Sequence, residues 1–215
     1  MFNNDKLKVF YDAEFTGLNS NSTLISIGLV SESSRWFYAE FTDYDTTHIT
    51  DWIQNNVINN LVLSDSAAGG YKIKTKDTTD ENNFYCMVIK DTTDNVKVAL
   101  LEWLQNESRI ANGKQIQIYS DCYAYDWVLF NNLVSENGNA LNIPEFIYYI
   151  PVDLSTALQV NNIDPDITRE DFIGENVLNA LKVHGVFKNF GDRCKHNSLW
   201  DASVCRNCFN KLGMI

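Results

Sequence analysis

No stretch of this chain approaches the roughly 20 consecutive apolar residues of a membrane-spanning helix, so no membrane partner is expected. The first residues, Met1 to Lys8, are polar and lack the apolar centre of a secretion signal, which makes the cytoplasm the expected location. No disulfide framework is visible either. Five cysteines are an odd number, and without an export signal reduced thiols are the default. Cys205-x-x-Cys208, with Cys194 and His196 upstream, has the outline of a zinc ligand set, but a second CxxC is missing. Two cysteines on a C-terminal helix is the simpler reading. Basic residues are also in deficit: 17 Lys and Arg face 28 Asp and Glu, a formal net charge of −11. That is the wrong sign for long, non-specific tracking along a nucleic acid, where affinity comes from cations neutralising phosphates. Two routes to a nucleic-acid function survive it. A site with bound metal ions carries its own positive charge, and a substrate of few nucleotides needs few phosphate contacts.

What is present suffices for a full core. At 215 residues and 45% hydrophobic content, the chain is most simply one domain over residues 1–215. Residues 7–12, 23–30 and 35–41 are rich in β-branched and aromatic types and predict a three-strand antiparallel meander. A weakly amphipathic helix follows over residues 49–60. Residues 64–94 form a polar excursion with one or two short strands around Phe84–Ile89. Within it Lys76-Asp-Thr-Thr-Asp80 recurs as Lys90-Asp-Thr-Thr-Asp94, read as two similar turns. Helical spacing returns over residues 95–107, 126–136, 175–183 and 199–212, with a short helix capped by Asp153. Strands are expected over 115–120 and 146–152. Strands first, then helices alternating with single strands, give an α/β class: a mixed five-stranded sheet with helices packed on both faces.

The start of the chain carries the strongest chemical signal. Val9-Phe-Tyr-Asp-Ala-Glu-Phe-Thr-Gly-Leu18 places Asp12 and Glu14 at the end of an apolar strand, and residues i and i+2 of a strand share a face. Two ionised carboxylates beside hydrophobic neighbours repel each other and lose hydration. A divalent cation is the usual remedy; solvation at a strand end is the bland alternative. A third acid, Asp126, falls in the first turn of a helix just beyond a strand, where the helix dipole favours a carboxylate. Asp121 stands nearby. Near the C-terminus, His196 and Asp201 are five residues apart, about 140° around a helix, so a regular helix would not put them on one face. Ser198-x-x-Asp201 matches a capping box. With Ser198 as cap, His196 lies on the preceding loop and Asp201 in the first turn.

Taken in order, these pieces resemble the DEDD exonuclease superfamily, specifically its DEDDh branch of RNase T, oligoribonuclease and the proofreading exonuclease subunits. Asp12-Ala-Glu14-Phe-Thr-Gly-Leu18 is similar to the first motif, D-x-E-T-T-G-L, with Phe15 where Thr is common. Ala124-Tyr125-Asp126 is similar to the second, without the usual upstream Asn, which keeps Asp121 as the alternative ligand. His196-Asn-Ser-Leu-Trp-Asp201-Ala202 is similar to the third, H-x-A-x-x-D-A. Within the branch, the chain looks most like small bacterial and phage RNase T-like exoribonucleases.

The resemblance implies an RNase H-like fold and two divalent ions, Mg²⁺ or Mn²⁺. Asp12 would bridge them, Glu14 and Asp201 would complete one site, and Asp126 would support the other. Two metals suit hydroxide attack on a phosphodiester and stabilisation of the leaving oxygen. Histidine titrates near neutrality, which makes His196 the candidate general base. The implied activity is 3′–5′ hydrolysis of single-stranded RNA ends or short overhangs to nucleoside 5′-monophosphates. The segment Phe15-Thr16-Gly17-Leu18 would meet the 3′-terminal nucleotide, Phe15 and Leu18 contacting its base. A core position is the other reading of Phe15, and Tyr123 and Trp127 are further aromatic candidates. Contact with a 2′-hydroxyl, by backbone or Glu14, would select RNA. Analogy suggests a homodimer. The rival functions are a DNA exonuclease of the same chemistry and a non-catalytic adaptor on this fold.

Overall fold

Strand β1 (Leu7–Phe15) sits near the middle of the sheet, antiparallel to β2 (Leu24–Ser31) and parallel to β6 (Ile116–Ser120). The computed structural model describes residues 5–63, 73–75 (backbone only), 86–121, 123–139, 141–183 and 194–215. Beyond β2 lies β3 (Trp36–Phe41), which completes the expected meander. The sheet then extends through β5 (Cys86–Asp91), parallel to β3, to the edge strand β4 (Ile73–Thr75). At the other edge β7 (Val152–Asp153) runs parallel to β6. Among the described residues the order β4-β5-β3-β2-β1-β6-β7 makes a mixed sheet of seven strands, compatible with an RNase H-like fold.

Among the described residues the sheet holds seven strands against the five expected: the polar excursion supplies β4 and β5, and β4 and β7 hold only three and two residues. Runs that short carry no readable period. The strand expected over 146–152 reduces to an isolated bridge between Ile116 and Ile147 and then β7. Pro144 precedes this stretch and Pro151 lies within it, and neither can donate to a ladder. The helix expected over 49–60 is α1 (Asp51–Asn56) followed by a 3₁₀ turn over Ile58–Asn60. Asparagine side chains compete for the backbone there: Asn56 Nδ2 donates to the Trp52 carbonyl at 2.8 Å, and Asn60 Nδ2 to that of Asn56 at 2.6 Å. Of the repeated sequence, residues 76–80 lie outside the described residues. The second copy ends β5 and opens α2 (Thr93–Ile110).

Period-two alternation in β1 divides the core. Leu7, Val9, Tyr11 and Ala13 enter the larger cluster, against Leu100, Trp103 and Leu104 of α2 and Phe130 and Leu133 of α3 (Tyr123–Val134). Phe10 enters the second cluster, with α4 (Leu154–Val160), α5 (Arg169–Ile173) and α7 (Ser198–Lys211). Partly buried residues of α6 (Glu175–Val183) flank that cluster. Helices therefore cover both faces. Each fully buried large apolar side chain contributes about 1.5–3 kcal/mol, and the aromatic trio Phe10, Tyr119 and Phe209 anchors α7 to β1 and β6. No helix among the described residues is long and apolar enough to cross a membrane.

Candidate active site

Asp12 and Glu14 have the same parity as Phe10 and so face α7, as the i, i+2 spacing predicts. Across the antiparallel ladder Asp12 pairs with Gly28 and Glu14 with Ser26, and a register shift follows Glu14. These two neighbours seat α7. A side chain at Gly28 would overlap the Ser198–Leu199 peptide, so the helix start rests directly on the β2 backbone. Ser26 and Ser198 share a buried hydroxyl hydrogen bond of 3.1 Å.

Ser198 is thus the first residue of α7, which corrects its expected role as the cap. The N-cap is Asn197, whose Oδ1 accepts from the amides of Leu199 at 3.2 Å and Trp200 at 3.3 Å. Both residue types cap helices; the contact of Ser198 with β2 settles which one does. Asp201 remains in the first turn, and its carboxylate accepts from the backbone N–H of His196. His196 precedes the cap in a left-handed conformation with φ 57°, inside a turn closed by the Asn197 N–H to the Cys194 carbonyl at 3.2 Å. That geometry solves the 140° problem. Ligand atoms of Glu14, His196 and Asp201 all lie within 4.8 Å of one another.

Asp126 is buried in the first turn of α3. Asp121 has a different occupation: Arg169 Nε donates to both its oxygens at 2.8 Å, and Nη2 lies 2.7 Å from Oδ1. Arg169 also donates to the Pro165 and Ile167 carbonyls and to Ser155 Oγ. Asp121 ties the end of β6 to α5 and is already neutralised.

Electrostatics draws the acids into one group. Burial, then the charges of Asp126, Asp201, Glu14 and Asp121, push the Asp12 carboxyl well above the ordinary range. Asp201 is likewise pushed well up by burial and by Glu14 and Glu170. Burial raises Glu14 to about 7. Burial and Lys195 hold the His196 imidazole below its usual value, against the pull of Glu170, and so favour its neutral form. Crowded, half-buried oxygen donors that raise one another's proton affinity would bind a hard divalent cation, which removes the repulsion.

The segment after β1 divides. The Phe15 ring packs against the larger core and lies nearly parallel to Tyr125, at 5.8 Å and 16°, so Tyr125 takes one of its faces. Thr16 is buried and its hydroxyl is committed to Thr23, closing the loop. Gly17 turns the chain with φ 146°, and Leu18 is 71% exposed. Tyr123 is exposed, whereas Trp127 stacks on Phe130. Cys205 and Cys208 are buried on α7 in the second cluster.

Several residues at this site give no sign in the sequence. The exposed Trp52 of α1 presents its ring at 5.1 Å, edge to face, to the His196 imidazole. Asn60 Nδ2 donates to the Lys195 carbonyl at 3.1 Å. Only the parity of β2 hints at Gly28, a glycine in the middle of an otherwise apolar strand.

No protein-family model matches the chain. It is similar to two curated proteins of Mycobacterium tuberculosis, one from each of two strains, both named 3′–5′ exoribonuclease. Each is 36% identical over 55 residues, which is 26% of this chain and 33% of the relative. The match thus spans about a third of the relatives' length and supports, at that coverage, an exonuclease relationship.

Proposed function

We propose that this protein is a metal-dependent 3′–5′ exoribonuclease of the DEDDh type, acting on single-stranded RNA ends or short overhangs. One observation carries the reading: Glu14, His196 and Asp201, from a strand, a turn and a helix, bring their ligand atoms within 4.8 Å, beside the charges of Asp12 and Asp126. The name shared by the two mycobacterial relatives favours RNA over DNA.

Asp12, Glu14, Asp126 and Asp201 would hold two Mg²⁺ or Mn²⁺ ions, for which carboxylate oxygens are suited donors. When bound, such ions supply an acidified water and stabilise charge on the departing oxygen. The neutral imidazole of His196 accepts the proton from the attacking water. As the new P–O bond forms, the bond from phosphorus to the 3′ oxygen of the preceding nucleotide breaks. The products are a nucleoside 5′-monophosphate and a chain one nucleotide shorter. Leu18, exposed beside β1, offers an apolar contact for the terminal base, one that discriminates little among sequences.

The test compares mononucleotide release from matched RNA and DNA oligomers with Mg²⁺ or Mn²⁺. Faster release from RNA, abolished by a chelator, is the expected result. A strong preference for DNA would replace the substrate class, and hydrolysis of neither polymer would favour the adaptor reading.

A further inference from the structure

A buried polar chain runs from β5 to the start of α7 and ends one residue from His196. Lys90 Nζ donates to the Leu63 carbonyl at 3.1 Å and lies 3.6 Å from Glu40 Oε2. Glu40 Oε1 accepts from the Tyr38 hydroxyl at 2.9 Å and from the amides of Val62 at 2.7 Å and Leu63 at 2.9 Å. The Tyr38 oxygen in turn accepts from Asn197 Nδ2 at 3.3 Å. Glu40, Tyr38 and Asn197 are 0%, 1% and 2% exposed.

The direction of each bond is forced. Asn197 Oδ1 is occupied by the first amides of α7, so its amide nitrogen faces the phenol. That nitrogen only donates, so the phenol accepts from it and gives its single proton to Glu40. Apolar side chains at positions 38 and 40 would fill this space without desolvating a carboxylate. What the polar chain adds is orientation. Its far end is the N-cap that follows a left-handed histidine, a conformation that persists where the surroundings over-determine it. Asn60 holds the Lys195 carbonyl on the other side of that histidine, and Trp52 borders its ring.

We infer that Tyr38 and Glu40 are positioning residues for His196: acting through Asn197, they fix the turn that aims the imidazole at Glu14 and Asp201. The inference rests on the nuclease reading for its catalytic meaning and on the hydrogen-bond geometry for its structural content.

The experiment uses Tyr38→Phe, which removes one oxygen, beside the wild type. The chain has three histidines, so the His196 ring signal in a ¹H–¹³C spectrum is assigned by its loss in His196→Asn. In the metal-free Tyr38→Phe protein this signal is expected to shift and broaden while the other two stay in place. A 1 Å displacement of a catalytic group costs up to about 100-fold. The expected change is accordingly a kcat at least about ten-fold lower, with KM for an RNA oligomer within about two-fold. An unmoved His196 signal overturns the inference whatever the activity, as does a kcat equal to that of the wild type. If the wild type hydrolyses no RNA, the nuclease reading fails, and the ring signal still decides the positioning. Should Tyr38→Phe fail to fold, Asn197→Ser keeps a capping oxygen but is too short to reach the phenol, and the same spectra and kinetics decide.

Discussion

Gly28 of β2 lies directly beneath the peptide that joins Ser198 to Leu199 in α7, with no room for a methyl group between them. Gly28 is also the cross-strand partner of Asp12. The distance between the two halves of the site, strand acids and helix acid, is therefore set by a missing side chain. Gly28→Ala is expected to lift the start of α7 off the sheet. Overpacking costs about 1–3 kcal/mol, and a backbone obstacle with no rotamer to yield puts this case at the upper end. Thermal unfolding and Mn²⁺ calorimetry should show a lower Tm together with weaker ion binding. A variant with wild-type values for both would contradict this account of the spacing.

Glu14 gives a pH dependence with a definite sign. Burial pushes its carboxyl up from the ordinary 4.5 to about 7. Burial favours the protonated form, so the stability that Glu14 contributes is present below about pH 4.5 and is lost as pH rises towards 7. Without metal, the stability of wild type relative to Glu14→Gln should decline across that window and level off above it. Mn²⁺ affinity of the wild type should rise over the same range, because ion and proton compete for the carboxylate. A relative stability that is flat from pH 4.5 to 7 would show Glu14 to be solvated.

His196 combines a catalytic assignment with an unfavourable backbone. Asparagine adopts the left-handed region more readily than most residues, so His196→Asn should keep or slightly raise Tm. General-base catalysis is worth about 10²–10⁴-fold, and kcat should fall by that order. Unfolding curves and single-turnover hydrolysis check the two halves separately. Chelator-sensitive hydrolysis at the wild-type rate would remove His196 from the role of base.

The two aspartates around Tyr123 are expected to separate cleanly. Asp126→Asn should abolish hydrolysis and leave Tm unchanged or higher, since it removes a buried charge from a cluster of like charges. Asp121→Asn breaks the bidentate contact with Arg169 and should cost about 1.5–3 kcal/mol, the worth of a hydrogen bond to a charged group. Its hydrolysis should fall far less. The reverse pattern would make Asp121 the ligand.

What could be read from the chain alone was whatever rests on local spacing. Asp12 and Glu14 share a face because strands have period two, and β1 keeps that period. Placing Asp201 in a first turn with His196 before it required only a helix start near residue 198. The capping-box pattern points to Ser198, whereas Asn197 caps the helix, because the deciding contact, Ser198 to Ser26, joins positions 172 residues apart. The same non-locality hides Gly28, Trp52, Tyr38 and Glu40. Each looks ordinary in its own strand or helix and gains its role from a segment far along the chain. The short strand β4 is hidden for another reason: its pairing depends on its neighbour β5, not on any pattern of its own.

Hydrolysis from the 3′ end is the activity assigned to the carboxylate cluster. Its most direct test is digestion of a 5′-labelled single-stranded RNA, with the 3′ end free or blocked, in Mn²⁺, by the wild type and by Asp12→Asn. The account predicts a ladder of stepwise shortened products from the free-ended RNA only, absent with chelator and absent in Asp12→Asn. Intact RNA with the wild-type protein, or equal digestion by Asp12→Asn, would contradict it.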